Sequence, residues 1–130
     1  MAKQENLDGG TLEILTPQEV KKRFDRNEIV LIDVRTANEY AFEQIRGALL
    51  FPLSSFDPAK LPAQEGKPIV FHCGSGVRSG QVAKKCIASG QSNVAHMEGG
   101  FGAWKAAGLP FVAIDPATGA PVDRTLPPAK

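Results

Sequence analysis

Residues 69–80 read IVFHCGSGVRSG: three apolar residues and a histidine run into a cysteine, and small residues separate that cysteine from an arginine. A short run without polar alternation is the pattern of a strand covered on both faces, as occurs where helices flank a parallel sheet. IVFH (69–72) is therefore predicted as a buried strand with Cys73 at its carboxyl end, followed by a tight loop and a helix from about Arg78. IVLIDV (29–34) repeats the buried-strand pattern. Such strands, separated by helical segments, predict an α/β layer fold with right-handed crossovers. Ligands in these sheets gather beyond the carboxyl ends of the strands, which is where Cys73 lies.

Outward from this centre, the chain alternates in the same way. TLEIL (11–15) predicts a short edge strand. A helix start follows, with Thr16 as N-cap, Pro17 at the first helical position, Glu19 completing a capping box, and Leu15 and Val20 spaced as a hydrophobic staple. Residues 37–43 predict a short helix, ALLF (48–51) a brief strand, SSFDPAKL (54–61) a helical turn or two, and EGKP (65–68) a turn. The helix after Cys73 runs to Gly90 with Val82, Ala83, Cys86 and Ile87 on one face. SNVAHM (92–97) predicts a strand and GGFGAWKAAG (99–108) a last helix between glycines. Residues 1–10 are expected to be a flexible lead, and residues 113–130, rich in proline, glycine and alanine, a loosely attached tail. One domain, 11–112, lies between them.

Composition narrows the function. Lys and Arg number 15 against 14 acidic residues in a chain of 130, a net charge of +1 that provides no footprint for nucleic acid. No apolar stretch reaches bilayer length, and the polar opening MAKQENLDGG lacks the apolar core of a secretory signal, so a cytoplasmic protein without membrane partners is expected. The two cysteines sit in neither a CxxC nor a Cys/His zinc spacing, which favours thiol chemistry or plain packing over a disulfide or a metal.

The loop supplies that chemistry. Gly74 and Gly76 permit positive φ, so successive amides can turn inward as an anion-binding nest. The positive end of the following helix and the Arg78 cation add to it, and all three lower the thiol pKa. Cys73 is thus predicted to be an ionised nucleophile, with Gly74, Ser75, Gly76, Val77, Arg78 and Ser79 forming its substrate loop. Asp33 and Arg35 are expected to be structural supports, Arg35 pairing with Glu39 one helical turn on. Cys86 reads as a packed helix thiol, and strand alternation points His72 away from Cys73. His96 and Trp104 read as packing residues.

Four segments in order, LIDVRTANEY, IRGALLFPL, FHCGSGVRSG and MEGGFGAWKAAGLP, resemble the rhodanese family of sulfurtransferases, specifically its small single-domain members. The resemblance spans about residues 11–110. It implies a three-layer fold, a five-stranded mainly parallel sheet flanked by helices, with Cys73 as the sulfur carrier. It further implies ping-pong transfer from a small anionic donor such as thiosulfate to cyanide, a thiol or a protein acceptor, without a cofactor. Where relatives often have a histidine and a proline, this chain reads Gln44-Ile45-Arg46-Gly47-Ala48. Its inner loop residues Gly74, Ser75 and Val77 are uncharged, which implies a weaker grip on a dianion than in the larger two-domain enzymes. A docking module of the same fold is the alternative, and degenerate members of that kind commonly lose the cysteine retained here. Related phosphatases carry a loop one residue longer than the four, Gly74 to Val77, between this cysteine and arginine, so phosphate chemistry is disfavoured.

Overall fold

The computed structural model describes residues 3–7, 9–61, 66–91 and 93–126. In chain order the elements are β1 (Lys3–Leu7), β2 (Gly10–Leu15), α1 (Pro17–Asp25), β3 (Val30–Asp33), α2 (Ala37–Phe42), β4 (Glu43–Gln44), β5 (Leu49–Leu50), β6 (Ile69–His72), α3 (Val77–Ala88), β7 (Asn93–Met97), α4 (Gly100–Ala106), β8 (Phe111–Ile114) and β9 (Pro121–Arg124). Two single 3-10 turns, Leu53–Ser55 and Pro58–Lys60, occupy the segment after β5 where a helical turn or two is expected. The main sheet has the order β1-β2-β7-β6-β3-β5. Its five strands from β2 to β5 are parallel, as expected of the family fold, and β1 adds a sixth, antiparallel strand.

Strand alternation explains the unbroken apolar runs. Leu31 and Val70 pack on one face with Val20, Phe101 and Trp104, beneath α1 and α4. Their neighbours Ile32 and Phe71 pack on the other with Val82, Cys86 and Ile87 of α3. A strand whose two faces are both covered has no solvated side on which to place polar residues. The capping box of α1 forms as read: Thr16 Oγ1 accepts from Glu19 N at 3.2 Å and Glu19 Oε1 accepts from Thr16 N at 3.0 Å. A second box, Thr36 with Glu39, starts α2.

Three boundary expectations need correction. The lead is not flexible over Lys3–Leu7, which pairs antiparallel with β2 from Lys3 opposite Ile14 to Leu7 opposite Gly10. TLEIL is accordingly an inner strand rather than an edge. Asp8-Gly9 is a hairpin signal, and Gly9 has φ +94° in the turn, while the polar side chains of KQENL suit the exposed rim they form. The tail is likewise structured over much of its length. β8 and β9 form a hairpin turning through Asp115–Gly119, β4 pairs on the other side of β8, and Phe111, Val112 and Ala113 are buried. Pro116 and Gly119 belong to the turn that joins β8 to β9. Met1, Ala2 and Asp8 of the lead, residues 127–130 of the tail, Glu65 of the expected turn and Ser92 of the expected strand lie outside the described residues.

Candidate active site

Cys73 leaves the end of β6, and the chain curls over it before entering α3. Gly76 makes the curl possible: at φ +102° it is the N-cap of α3, in a conformation that strains any residue with a Cβ. The curl directs the Gly76 amide onto the sulfur, N to Sγ 3.0 Å. Ser79, one turn into α3, places its Oγ 3.6 Å from the same sulfur. Burial is the largest single influence on the thiol and pushes its pKa up. Hydrogen bonding from the Ser79 backbone and hydroxyl and from the Gly76 and Ser75 amides outweighs it, and the net result lies below the ordinary thiol value. The sulfur is thus buried and stabilised by amides.

The loop keeps its amides inward because its carbonyls are claimed elsewhere. Phe101 N donates to Cys73 O at 2.7 Å and Gly102 N donates to Gly74 O at 3.0 Å. These are free amides at the start of α4, which would otherwise need capping. The approach is closer than a side chain permits: a Cβ on Gly100 would lie 2.5 Å from Cys73 O and 2.7 Å from Ser75 N. The GGFG segment is therefore the docking edge of the active loop, a role beyond the helix boundary read from its glycines.

Arg78 does not stand free beside the sulfur. Its guanidinium grips Glu39 of α2 in two hydrogen bonds, Nη1 to Oε1 at 2.6 Å and Nη2 to Oε2 at 3.1 Å. The Arg78 bond, opposed by partial burial and aided by Thr36, draws the Glu39 carboxyl down to about 2. Hydrogen bonds are the leading influences that lower the Cys73 pKa, and the Arg78 charge interacts with the sulfur in addition. Gly74, Ser75, Gly76 and Val77 carry no charge, so the polar groups this loop offers around the sulfur are chiefly those of its backbone.

Arg35 departs from its expected partner as well. It binds Asp33 rather than Glu39, Nε to Oδ1 and Oδ2 at 3.0 Å and Nη2 to Oδ2 at 2.8 Å, with both side chains buried. Its Nη2 also donates to Glu43 O at 2.6 Å, and its guanidinium lies 4.5 Å from the Phe101 ring centre. Asp33 and Arg35 thereby brace the residue whose amide holds Cys73 O. His72 points to the opposite face from Cys73, its Nε2 3.6 Å from Asp33 Oδ2, and burial holds its pKa below the ordinary imidazole value. Cys86 is enclosed by α3 and the sheet, and burial pushes its thiol up to about 11.

One polar contact escaped the sequence reading. His96 Nδ1 lies 2.9 Å from Ser79 Oγ, so His96, Ser79 and Cys73 form a chain. The signal was strand register: His96 sits opposite Phe71, and a residue opposite Phe71 shares the face of Phe71 and Cys73.

A family model described as Rhodanese-like domain matches residues 16–107. A Synechocystis protein named as uncharacterized is 38% identical over 98 residues, 75% of this chain and 55% of that longer protein. A thiosulfate sulfurtransferase GlpE of Coxiella burnetii is 34% identical over 87 residues, 67% of this chain and 78% of the relative. Among solved structures, a Rhodopseudomonas palustris protein of unknown function, described as a possible tyrosine phosphatase, is 33% identical with a TM-score of 0.63, covering 73% of this chain and 80% of that one.

Proposed function

The chain belongs to the rhodanese-like domain family, and from that premise we propose that it is a sulfurtransferase that carries sulfane sulfur as a persulfide on Cys73. The observation that carries the reading is the thiol itself, bonded by the Gly76 amide at 3.0 Å and held below its ordinary pKa at the ligand edge of the sheet. The thiolate attacks the outer sulfur of a donor such as thiosulfate. An Sγ–S bond forms, the donor's S–S bond breaks, and sulfite leaves with the electron pair. The inward amides of the loop hold the terminal charge of the persulfide, a preorganised electrostatic role. A nucleophilic acceptor, cyanide, a thiol or a protein thiol, then takes the outer sulfur and returns the thiolate.

The uncharged loop and the Glu39-paired Arg78 support a donor of low charge over a dianion as the preferred one, with thiosulfate as a workable substitute. Phosphate chemistry has less support, because a four-residue span from Cys73 to Arg78 encloses a smaller ring and its arginine is turned to Glu39. A docking module would not need a thiol whose pKa is lowered.

Intact-mass measurement after thiosulfate treatment tests the reading. The wild-type chain gains one sulfur and releases sulfite, and Cys73→Ser gains none. A wild-type chain that acquires no sulfur and releases no sulfite rules it out.

A further inference from the structure

The chain from His96 to Cys73 is longer than the sulfur chemistry requires, and its geometry raises a question of proton placement. The Ser79 hydroxyl has one proton and three neighbours that can accept it: Gly76 O at 3.3 Å, Cys73 Sγ at 3.6 Å and His96 Nδ1 at 2.9 Å. If His96 accepted at Nδ1, the nearest neighbour would take the proton and the sulfur would lose its donor. If His96 donates from Nδ1–H, it occupies an Oγ lone pair and the hydroxyl proton is released toward the anionic sulfur, the stronger of the two remaining acceptors.

We propose that His96 is a positioning residue that donates from Nδ1 to Ser79 Oγ and so aims the Ser79 hydroxyl at Cys73 Sγ whenever the sulfur is a thiolate. His96 is 9% exposed, with its ring against Gly80 of α3. Burial holds it below the ordinary imidazole pKa, Lys84 of α3 pushes the same way, and the carboxylates of Glu5 on β1 and Glu98 after β7 oppose both. The ring is neutral at neutral pH, so its tautomer, not its charge, sets the direction of the chain.

The consequence falls on one half of the proposed reaction, and the inference rests on that reading for this step alone. During discharge the acceptor bonds to the outer sulfur, the S–Sγ bond breaks, and its electron pair returns to Sγ. A hydroxyl aimed at Sγ stabilises this leaving thiolate, and better leaving thiolates depart faster. When Sγ carries the outer sulfur the negative charge has moved away from Ser79, so the bond is strongest in the product of discharge.

The test compares His96→Asn, whose amide NH2 sits where Nδ1 does, with His96→Gln, whose amide lies one carbon further out, alongside Ser79→Ala and the Ser79→Ala/His96→Gln double variant. The rate of iodoacetamide alkylation of Cys73 across pH reads the thiolate without any sulfur donor. Its result therefore stands whether or not the sulfurtransferase reading survives. His96→Asn restores the wild-type profile, whereas His96→Gln and Ser79→Ala alkylate about tenfold more slowly at neutral pH with profiles displaced to higher pH. The double variant matches the single ones, because both cut the same chain. Cyanide discharge of a preloaded persulfide slows by a similar factor in the two impaired variants. Coincident profiles for His96→Asn and His96→Gln, or losses that multiply in the double variant, overturn the proposal.

Discussion

Arg78 is bound to Glu39, and the arginine that follows the Cys73 loop thereby has its principal ion partner on α2. The pair spans 39 residues of sequence and joins the first turn of α3 to a helix whose own N-cap uses the same carboxylate. Glu39 thus ties the capping of α2 to the position of the loop.

Neutralising Glu39 is expected to release the Arg78 charge toward the site. Glu39→Gln preserves the hydrogen bond to Thr36 N while removing the carboxylate, so the KM for thiosulfate falls several-fold with little change in kcat. Steady-state cyanide kinetics at low ionic strength check this, since the gained attraction is screened by salt. An unchanged KM would show that Arg78 stays out of reach of the donor.

The same carboxyl gives a pH signature in stability. Its pKa is lowered to about 2 in the fold, so the folded state binds fewer protons than the unfolded one and stability rises with pH. The contribution is present above the unfolded carboxylate value and is lost as pH falls through about 2. The side chain is 38% exposed, so solvent screening holds the contribution to about 1 kcal/mol or less. Urea melts between pH 5 and 2 show a shallower pH dependence for Glu39→Gln than for wild type.

Gly100 and Gly102 separate backbone contact from helix propensity. Gly100→Ala drives a methyl group into Cys73 O at a backbone φ of +63°, at a cost of about 2 kcal/mol or more, and slows alkylation of Cys73 by displacing the loop. Gly102→Ala meets Gly74 O at 3.4 Å inside α4 and is neutral or mildly stabilising, because alanine is the better helix former. Thermal melts of both variants check the contrast.

Removing the Arg35 charge leaves Asp33 buried without its main partner. Arg35→Met retains bulk over Phe101, yet is expected to cost about 3 kcal/mol or more in chemical denaturation. The double change Asp33→Asn/Arg35→Met recovers part of that loss, since it buries no unpaired charge.

Deleting residues 1–9 exposes the β2 edge. The shortened chain melts at lower temperature and forms larger species than the full chain in light scattering, as expected of an unprotected strand edge carrying Ile14 and Leu12.

Most of the parallel body was legible because its signals are local. IVFH coincides with β6 and the Thr16 box with the start of α1, since strand period and helix capping act between residues one to four apart. The lead and the tail were misread because a polar five-residue strand and a proline-rich hairpin carry little periodicity. They form because β2 and β4 offer unpaired backbone groups, an incentive that no single segment contains.

The order of the elements in the parallel body and the place of Cys73 at a strand end follow from neighbouring residues alone, because hydrophobic runs, glycines and caps act over a turn or a strand. Packing made the remaining choices: Arg78 for Glu39, Arg35 for Asp33, His96 for Ser79, and Gly100 against Cys73 O. A polar side chain bonds whichever partner the folded backbone leaves within about 3 Å, and that distance is set by which strands pair and which helices stack on them.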